Sequence, residues 1–200
     1  MAIKYQYNKT SLQHLYKQLD IRLRALPTIK NKESALRIEV KKARDKMTTL
    51  EQKLKEKIRQ YDYMGKLWVE FDASLTGIDN VRLSVKNIAG VKTPALEGID
   101  FYTKRFSIFN KPKWYLDGVA LIKEIALIAI EKEVFTRKMQ LVDRARKKTT
   151  QKVNLYEKVQ IPGFEDAIIK IKRFMEDEEN LSKSAQKIVK NRQQQMVLVQ

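Results

Sequence analysis

Toward each end of the chain, apolar residues recur in alternating steps of three and four, and nothing else in the sequence restricts the fold so tightly. Phe164, Ile168, Ile171 and Met175 form one such run; Leu36, Val40, Ala43, Met47, Leu50 and Leu54 form a longer one. This spacing lays a single apolar stripe along an α-helix and leaves the charges on its other faces. The longer run has the a/d pattern of a coiled-coil seam. A stripe that narrow is buried only against another helix, so the run from Phe164 to Met175 is expected to find its partner in the run from Leu36 to Leu54, and the two ends of the chain to pair.

Six Gly and four Pro, mostly between positions 65 and 118, leave both ends free to run as long helices. The chain contains no Cys, which removes disulfides, thiolate nucleophiles and cysteine-built metal sites. No charged-then-apolar leader opens the sequence, so secretion is not expected. The longest apolar run, Val119 to Ile130, is broken by Lys123 and Glu124 and falls well short of the ~20 residues of a membrane span, so it is expected to be core. With 41 basic and 24 acidic residues, the formal charge is +17. Such a surface attracts something acidic. Nucleic acid, an anionic membrane and an acidic protein all qualify, and charge alone does not choose among them.

In chain order, residues 1 to 7 read as a loose tail. Thr10 and Gln13 have capping-box spacing and start the first helix. Leu12, Leu15, Leu19, Leu23 and Leu26 carry its stripe to Pro27, where the helix is expected to kink or restart. Ile29 and Leu36 resume the stripe, which passes through Leu54, Ile58, Tyr61 and Trp68 to about Phe71. Val81, Leu83 and Val85 then alternate with polar residues, the period of a half-buried strand. With a turn between Asn87 and Pro94 and a return over Ile99 to Phe106, this predicts a β-hairpin at about 81–106. Asn110 followed by Pro112 signals a helix start. That helix is expected to run from about Lys113 to Arg192, interrupted only at Ile161-Pro162-Gly163, with residues 193–200 fraying.

The predicted fold is therefore mainly α. An N-terminal long helix (1–72, kinked near Pro27) pairs antiparallel, as a coiled coil, with a C-terminal long helix (113–200, kinked near Pro162 and Gly163). A compact middle region at 73–112 holds the hairpin. Folding the chain back in this way brings Pro27 and Pro162 to about the same level. It also faces Lys41, Lys42, Arg44 and Lys46 toward Arg144, Arg146, Lys147, Lys148 and Lys152. Two readings of this basic collar stay open: a solvated face of two lysine-rich helices, or a contact belt for an acidic surface.

No catalytic constellation appears. There is no Walker-type phosphate loop and no GxGxxG. His14 is the only histidine and lies in a helix stripe without partners for a triad or a metal cluster. The acidic run Glu176 to Glu179 points in different directions around a helix and reads as solvated. Trp68, Trp114 and Tyr115, near the junction with the hairpin, are expected to pack a core. No cofactor or metal is expected, and an enzyme is not expected.

One block is specific enough to suggest a family. Lys147-Lys148-Thr149-Thr150-Gln151-Lys152-Val153-Asn154-Leu155-Tyr156-Glu157, followed by Val159, Ile161 and Pro162, resembles the basic-then-Val-Asn-x-x-Glu-x-x-x-x-Pro block of the D subunit of the V-type (vacuolar/archaeal-type) ATPases and ATP synthases, in its bacterial form. The Ile-Lys-x-Ile core and Asp-Glu-Glu run within Glu165 to Lys190 resemble that family's closing helix. Asn8-Lys9-Thr10-Ser11-Leu12 with Leu15, Leu19, Lys30, Lys32 and Leu36 resembles its opening leucine-rich segment. Pro27 and Arg22 depart from the family pattern, Arg22 standing where a small residue is usual.

The resemblance implies a rotor shaft. Paired terminal helices enter a hexamer of catalytic and non-catalytic nucleotide-binding subunits, a companion (the F subunit) binds alongside, and a socket subunit joins the shaft to the membrane ring. It also implies a cytoplasmic location, peripheral on the membrane and without direct membrane insertion. Under this reading Lys41, Lys42, Arg44, Arg144, Arg146, Lys147, Lys148 and Lys152 contact the hexamer, while the hairpin and the Val119–Ile130 face contact the companion or socket subunits. The alternative is a basic coiled coil that binds nucleic acid, although no nucleic-acid motif and no aromatic interleaving accompany the basic clusters. A helical coat for anionic membranes would need apolar wedges opposite basic faces, and the stripes are already committed to each other.

Overall fold

The computed structural model describes residues 3–107, 109 and 111–198 and, of residues 64, 66, 73 and 195–198, the backbone alone. The chain is mainly helical. Helix α1 spans Lys9–Gln60 and a single turn, α2, spans Gly65–Trp68; strands β1 (Thr76–Ile88) and β2 (Val91–Thr103) follow, then α3 (Tyr115–Leu155), a π-helical turn (Tyr156–Gln160) and α4 (Ile161–Leu198). The chain divides into two compact units, Met1–Asn31 with Thr149–Gln200, and Lys32–Lys148.

In the first unit, Leu15, Phe164, Ala167, Ile168 and Ile171 form the buried core, with Leu12, Leu19 and Met175 packed around it. The expected loose tail is corrected here. Ile3 and Tyr5 lie against that same core, and the Tyr7 ring meets Phe174 at 4.8 Å. The helix start also moves. Asn8 is the cap, its Oδ1 accepting from the Ser11 N–H at 2.7 Å, so that a donor left over at the helix start is satisfied by Asn8 and not by Thr10.

Seam positions along this part of α1 are Leu12, Leu15, Leu19, Arg22, Leu26 and Ile29, all buried or half-buried. The three-and-four spacing passes through Pro27 without a skip, and α1 is one continuous helix, so the expected restart does not occur. Pro27 is exposed on the outer side. Leu23 is 47% exposed and does not belong to the stripe, because Arg22 holds the seam position that a reading of apolar residues alone gives to Leu23.

The break before Pro162 takes the form of the π turn, in which the Ile161 N–H donates to the Tyr156 carbonyl. Pro162 has no N–H to give, and its ring crowds the carbonyl of the preceding turn; a wider turn relieves that crowding. Gly163 has a separate role. A Cβ there would stand 3.0 Å from Ile3 Cδ1, so its bareness lets the N-terminal segment close over α4. Arg22 and Lys30, which flank Pro27, bond to Gln160 and Glu157, just before Pro162. The two prolines therefore lie at about the same level.

In the second unit, α1 runs antiparallel to α3, as shown by the pairs Glu39–Lys138 (3.6 Å) and Lys57–Glu124 (2.8 Å). Its seam positions are Glu33, Leu36, Val40, Ala43, Met47, Leu50, Leu54 and Lys57, and Tyr61 continues the spacing just past its end. Ile58, expected in the stripe, is 52% exposed; Lys57 takes the place and its ammonium is held by Glu124. The helix ends at Gln60, short of the expected Phe71, and gives way to a 3-10 turn at Asp62–Met64 and then α2. Here the aromatics form a cluster, with Trp68–Phe71, Phe71–Tyr115 and Trp114–Tyr115 ring centroids 5.3, 5.1 and 4.9 Å apart, and the Tyr115 hydroxyl donates to the Glu70 carbonyl. The Asn110 start signal lies outside the described residues, and α3 begins at Tyr115.

The hairpin is longer and its turn tighter than expected. Ile88 pairs with Val91, leaving a two-residue turn of Ala89 (φ 50) and Gly90 (φ 79), both left-handed as a twist-matched hairpin turn requires. The outward alternation also differs. Thr93 is buried, donating its hydroxyl to the Lys86 carbonyl, while Leu83 and Val85 are 52% and 70% exposed. The distal hairpin is covered on the Thr93 face, across a cleft shared with Val134 and Phe135 of α3, so its valine and leucine face solvent. At the C-terminus α4 stays helical through Leu198; Val199 and Gln200, expected to fray, lie outside the described residues.

Candidate functional site

In the second unit, α1 and α3 border an open groove of about 580 Å³ that brings together Lys41, Arg44, Arg146 and Lys147. Arg37, not among the expected residues, completes the rim. Lys42, Arg144 and Lys148 do not line the groove, and Lys42 reaches Glu39 at 3.4 Å. Lys152 belongs to the first unit, where its ammonium lies 5.7 Å from the Tyr156 ring centre.

The groove carries one carboxylate, Asp143. Arg146 donates to Asp143 Oδ1 from Nε (2.9 Å) and Nη2 (2.8 Å), and Lys147 reaches Oδ2 at 3.1 Å. The Arg146 hydrogen bond, joined by Lys147, holds the Asp143 carboxyl below the usual aspartate range. Lys41 and Arg44 have no ion-pair partner among the described residues. The arrangement can hold anions.

A second polar cluster lies in the first unit, and of its members the sequence marks only Arg22 as unusual. The Arg22 guanidinium donates from Nε to Gln160 Oε1 (2.7 Å) and from Nη1 to the Gln18 carbonyl (2.9 Å) and Gln18 Oε1 (2.6 Å). It lies 4.6 Å from the Phe164 ring centre and 6.0 Å from that of Tyr156. Lys30 bonds Glu157 at 2.7 Å. Side chains of the π turn at 156, 157 and 160 are thus all engaged by cations. The available sequence signal is the spacing of Arg22 from Leu19 and Leu26, which gives it a seam position.

His14 is exposed, and Glu176 to Glu179 are solvated, with Glu179 paired to Lys183 at 2.6 Å. Among the described residues no group of His, Asp and Glu is arranged to hold a metal, and no helix is long and apolar enough to cross a membrane.

Both units are built on antiparallel helices, α1 with α4 in the first and α1 with α3 in the second. Against that background, the profile of the ATP synthase D subunit family matches residues 11–191. The chain belongs to that family. It is 30% identical over 191 residues to a V-type ATP synthase D subunit from Borreliella burgdorferi, covering 94% of each chain. It is 27% identical to one from Chlamydia muridarum over 98% of each chain, and 24% identical over 98% of each to one from Chlamydia trachomatis.

Proposed function

We propose that this protein is the central shaft of a V-type rotary ATPase or ATP synthase, coupling nucleotide turnover in a catalytic hexamer to ion movement through a membrane ring. The family match across residues 11–191 carries the reading. The helix pairs support it: a shaft needs stiffness and an uneven surface, and both units supply antiparallel helices with continuous seams. In this role the chain is non-catalytic. It contacts successive nucleotide-binding subunits differently and so favours a different conformation in each, which turns conformational populations into torque.

The basic belt, from Lys41, Lys42 and Arg44 to Arg144, Arg146, Lys147, Lys148 and Lys152, is the surface offered to the hexamer. The exposed Leu83 and Val85 of the hairpin and the Val119–Ile130 face of α3 are offered to a companion subunit and to a socket subunit on the ring. The protein is then peripheral at the membrane on its cytoplasmic side, held there by its partners. Pro27, Pro162 and Gly163, with the π turn beside them, form the segment where the shaft bends under load. Nucleic-acid binding draws support only from the net charge.

Purifying the tagged chain gently from its native cells, at moderate salt and with nuclease present, tests the proposal. Two nucleotide-binding subunits recovered in equal amounts, and in excess over the chain, are the expected result. Nucleic-acid-associated proteins that disappear on nuclease treatment would overturn it.

A further inference from the structure

The groove of the second unit differs from the rest of the belt in having an apolar floor. Val40 and Met139, both half-buried, lie between the cations of the rim. Five cationic side chains, Arg37, Lys41, Arg44, Arg146 and Lys147, border it; Asp143 is the carboxylate of its lining, and Glu33 beside it pairs with Arg37 at 2.8 Å. Lys41 and Arg44 are exposed and unpaired among the described residues, so an incoming anion need not first break an existing ion pair there.

We infer that the groove seats an acidic amphipathic segment of a protein partner, with carboxylates on Lys41 and Arg44 and one apolar side chain on the Val40–Met139 floor. This deepens the shaft reading, and rests on it only for where such a segment would come from. The floor decides between partner classes. Phosphate backbones gain nothing from a valine and a methionine, and no aromatic ring lines the groove to stack a base. A protein segment uses both the rim, for orientation and encounter rate, and the floor, for burial. Asp143 has a double role. It holds Arg146 and Lys147 in fixed positions, and it competes with the carboxylates of the partner, as Glu33 does at Arg37 (2.8 Å).

The test uses the full chain and two fluorescein-labelled helical peptides, both rich in glutamate, one with a leucine stripe and its twin with serines in those places. At moderate salt the leucine peptide is expected to bind about tenfold more tightly, as burial of one leucine predicts. Lys41→Glu combined with Arg44→Glu should weaken it by about tenfold or more, while Asp143→Asn should tighten it by about threefold. Equal binding of the two twins, or a charge reversal without effect, overturns the proposal. So does duplex DNA that binds more tightly than the leucine peptide and is lost with the same charge reversal. Failure with the peptides while the nucleotide-binding subunits still co-purify removes the groove and leaves the shaft. Peptide binding without those subunits does the reverse.

Discussion

The two helix pairs follow one packing rule with different residues. In the first unit the pair closes around Phe164, Ile168 and Ile171, and the seam then admits Arg22, whose guanidinium is satisfied by two glutamines and an aromatic face. In the second unit the seam keeps Leu36, Ala43 and Leu50 buried and admits charge only toward its ends, at Glu33 and Lys57, while the cations of the groove rim stand outside it. The half-buried Arg22 of the first unit fixes which residues face each other; the exposed charge of the groove rim in the second remains available to a partner. A polar seam residue is a known device for setting helix register at some cost in stability.

The widest difference is expected from core truncations. Ile171 and Leu36 are both fully buried, and replacing either with alanine should cost about 2–5 kcal/mol in urea denaturation. Ile171→Ala should speed amide exchange around the Leu15–Phe164 core and leave β1 and β2 protected, whereas Leu36→Ala should do the opposite. Uniform acceleration over the whole chain in both variants would mean one cooperative structure, and the contrast between units would fail.

A smaller effect separates Arg22 as an organiser from Arg22 as a mere survivor in a seam. Arg22→Ala strands Gln18 and Gln160 and should cost about 1–3 kcal/mol. Arg22→Leu fills the position with an apolar side chain and should recover much of that stability, yet still leave the π turn exchanging faster than in the parent protein, because nothing then holds Gln160. Parent-like exchange at residues 156–160 in Arg22→Leu would show that Pro162 alone sets the π turn.

These two clusters also show what is legible in the sequence. Apolar spacing suffices for the helices and for their folding back on one another, because a narrow stripe is buried only against another helix, but it matches the wrong stripes: Phe164, Ile168 and Ile171 pack with Leu12, Leu15 and Leu19 and not with the run from Leu36 to Leu54. It fails where a polar residue takes a seam position: it favours Leu23 and Ile58, which face solvent, over Arg22 and Lys57. The worth of those two residues depends on Gln160 and Glu124, more than sixty residues away, which no local pattern reveals. Alternation finds the hairpin but misjudges its covered face, since that depends on which side α3 approaches. For the basic belt, composition supplies the charges, whereas their division between groove rim and open surface follows from helix rotation.

The finest distinction concerns Asp143, and pH exposes it. Its carboxyl is held below the ordinary aspartate value by Arg146 first and Lys147 second. A lowered folded pKa means that the pairing stabilises fully above the unfolded value of about 3.9 and is lost as pH falls through that value and on through the folded one. With 27% of its side chain exposed, water screens the pair, so the contribution is small. Acid titration of the parent and of Asp143→Asn should therefore give stability curves that converge as pH drops below about 4 and separate above it, with the parent the more stable. Stability is only half of the expectation. Above that pH, Asp143→Asn should be the weaker fold and the tighter binder of the acidic leucine peptide, because the carboxylate that steadies the groove also occupies part of its positive charge. A variant that lost both stability and peptide affinity would show that Asp143 serves the groove by shaping it more than it hinders it by competing.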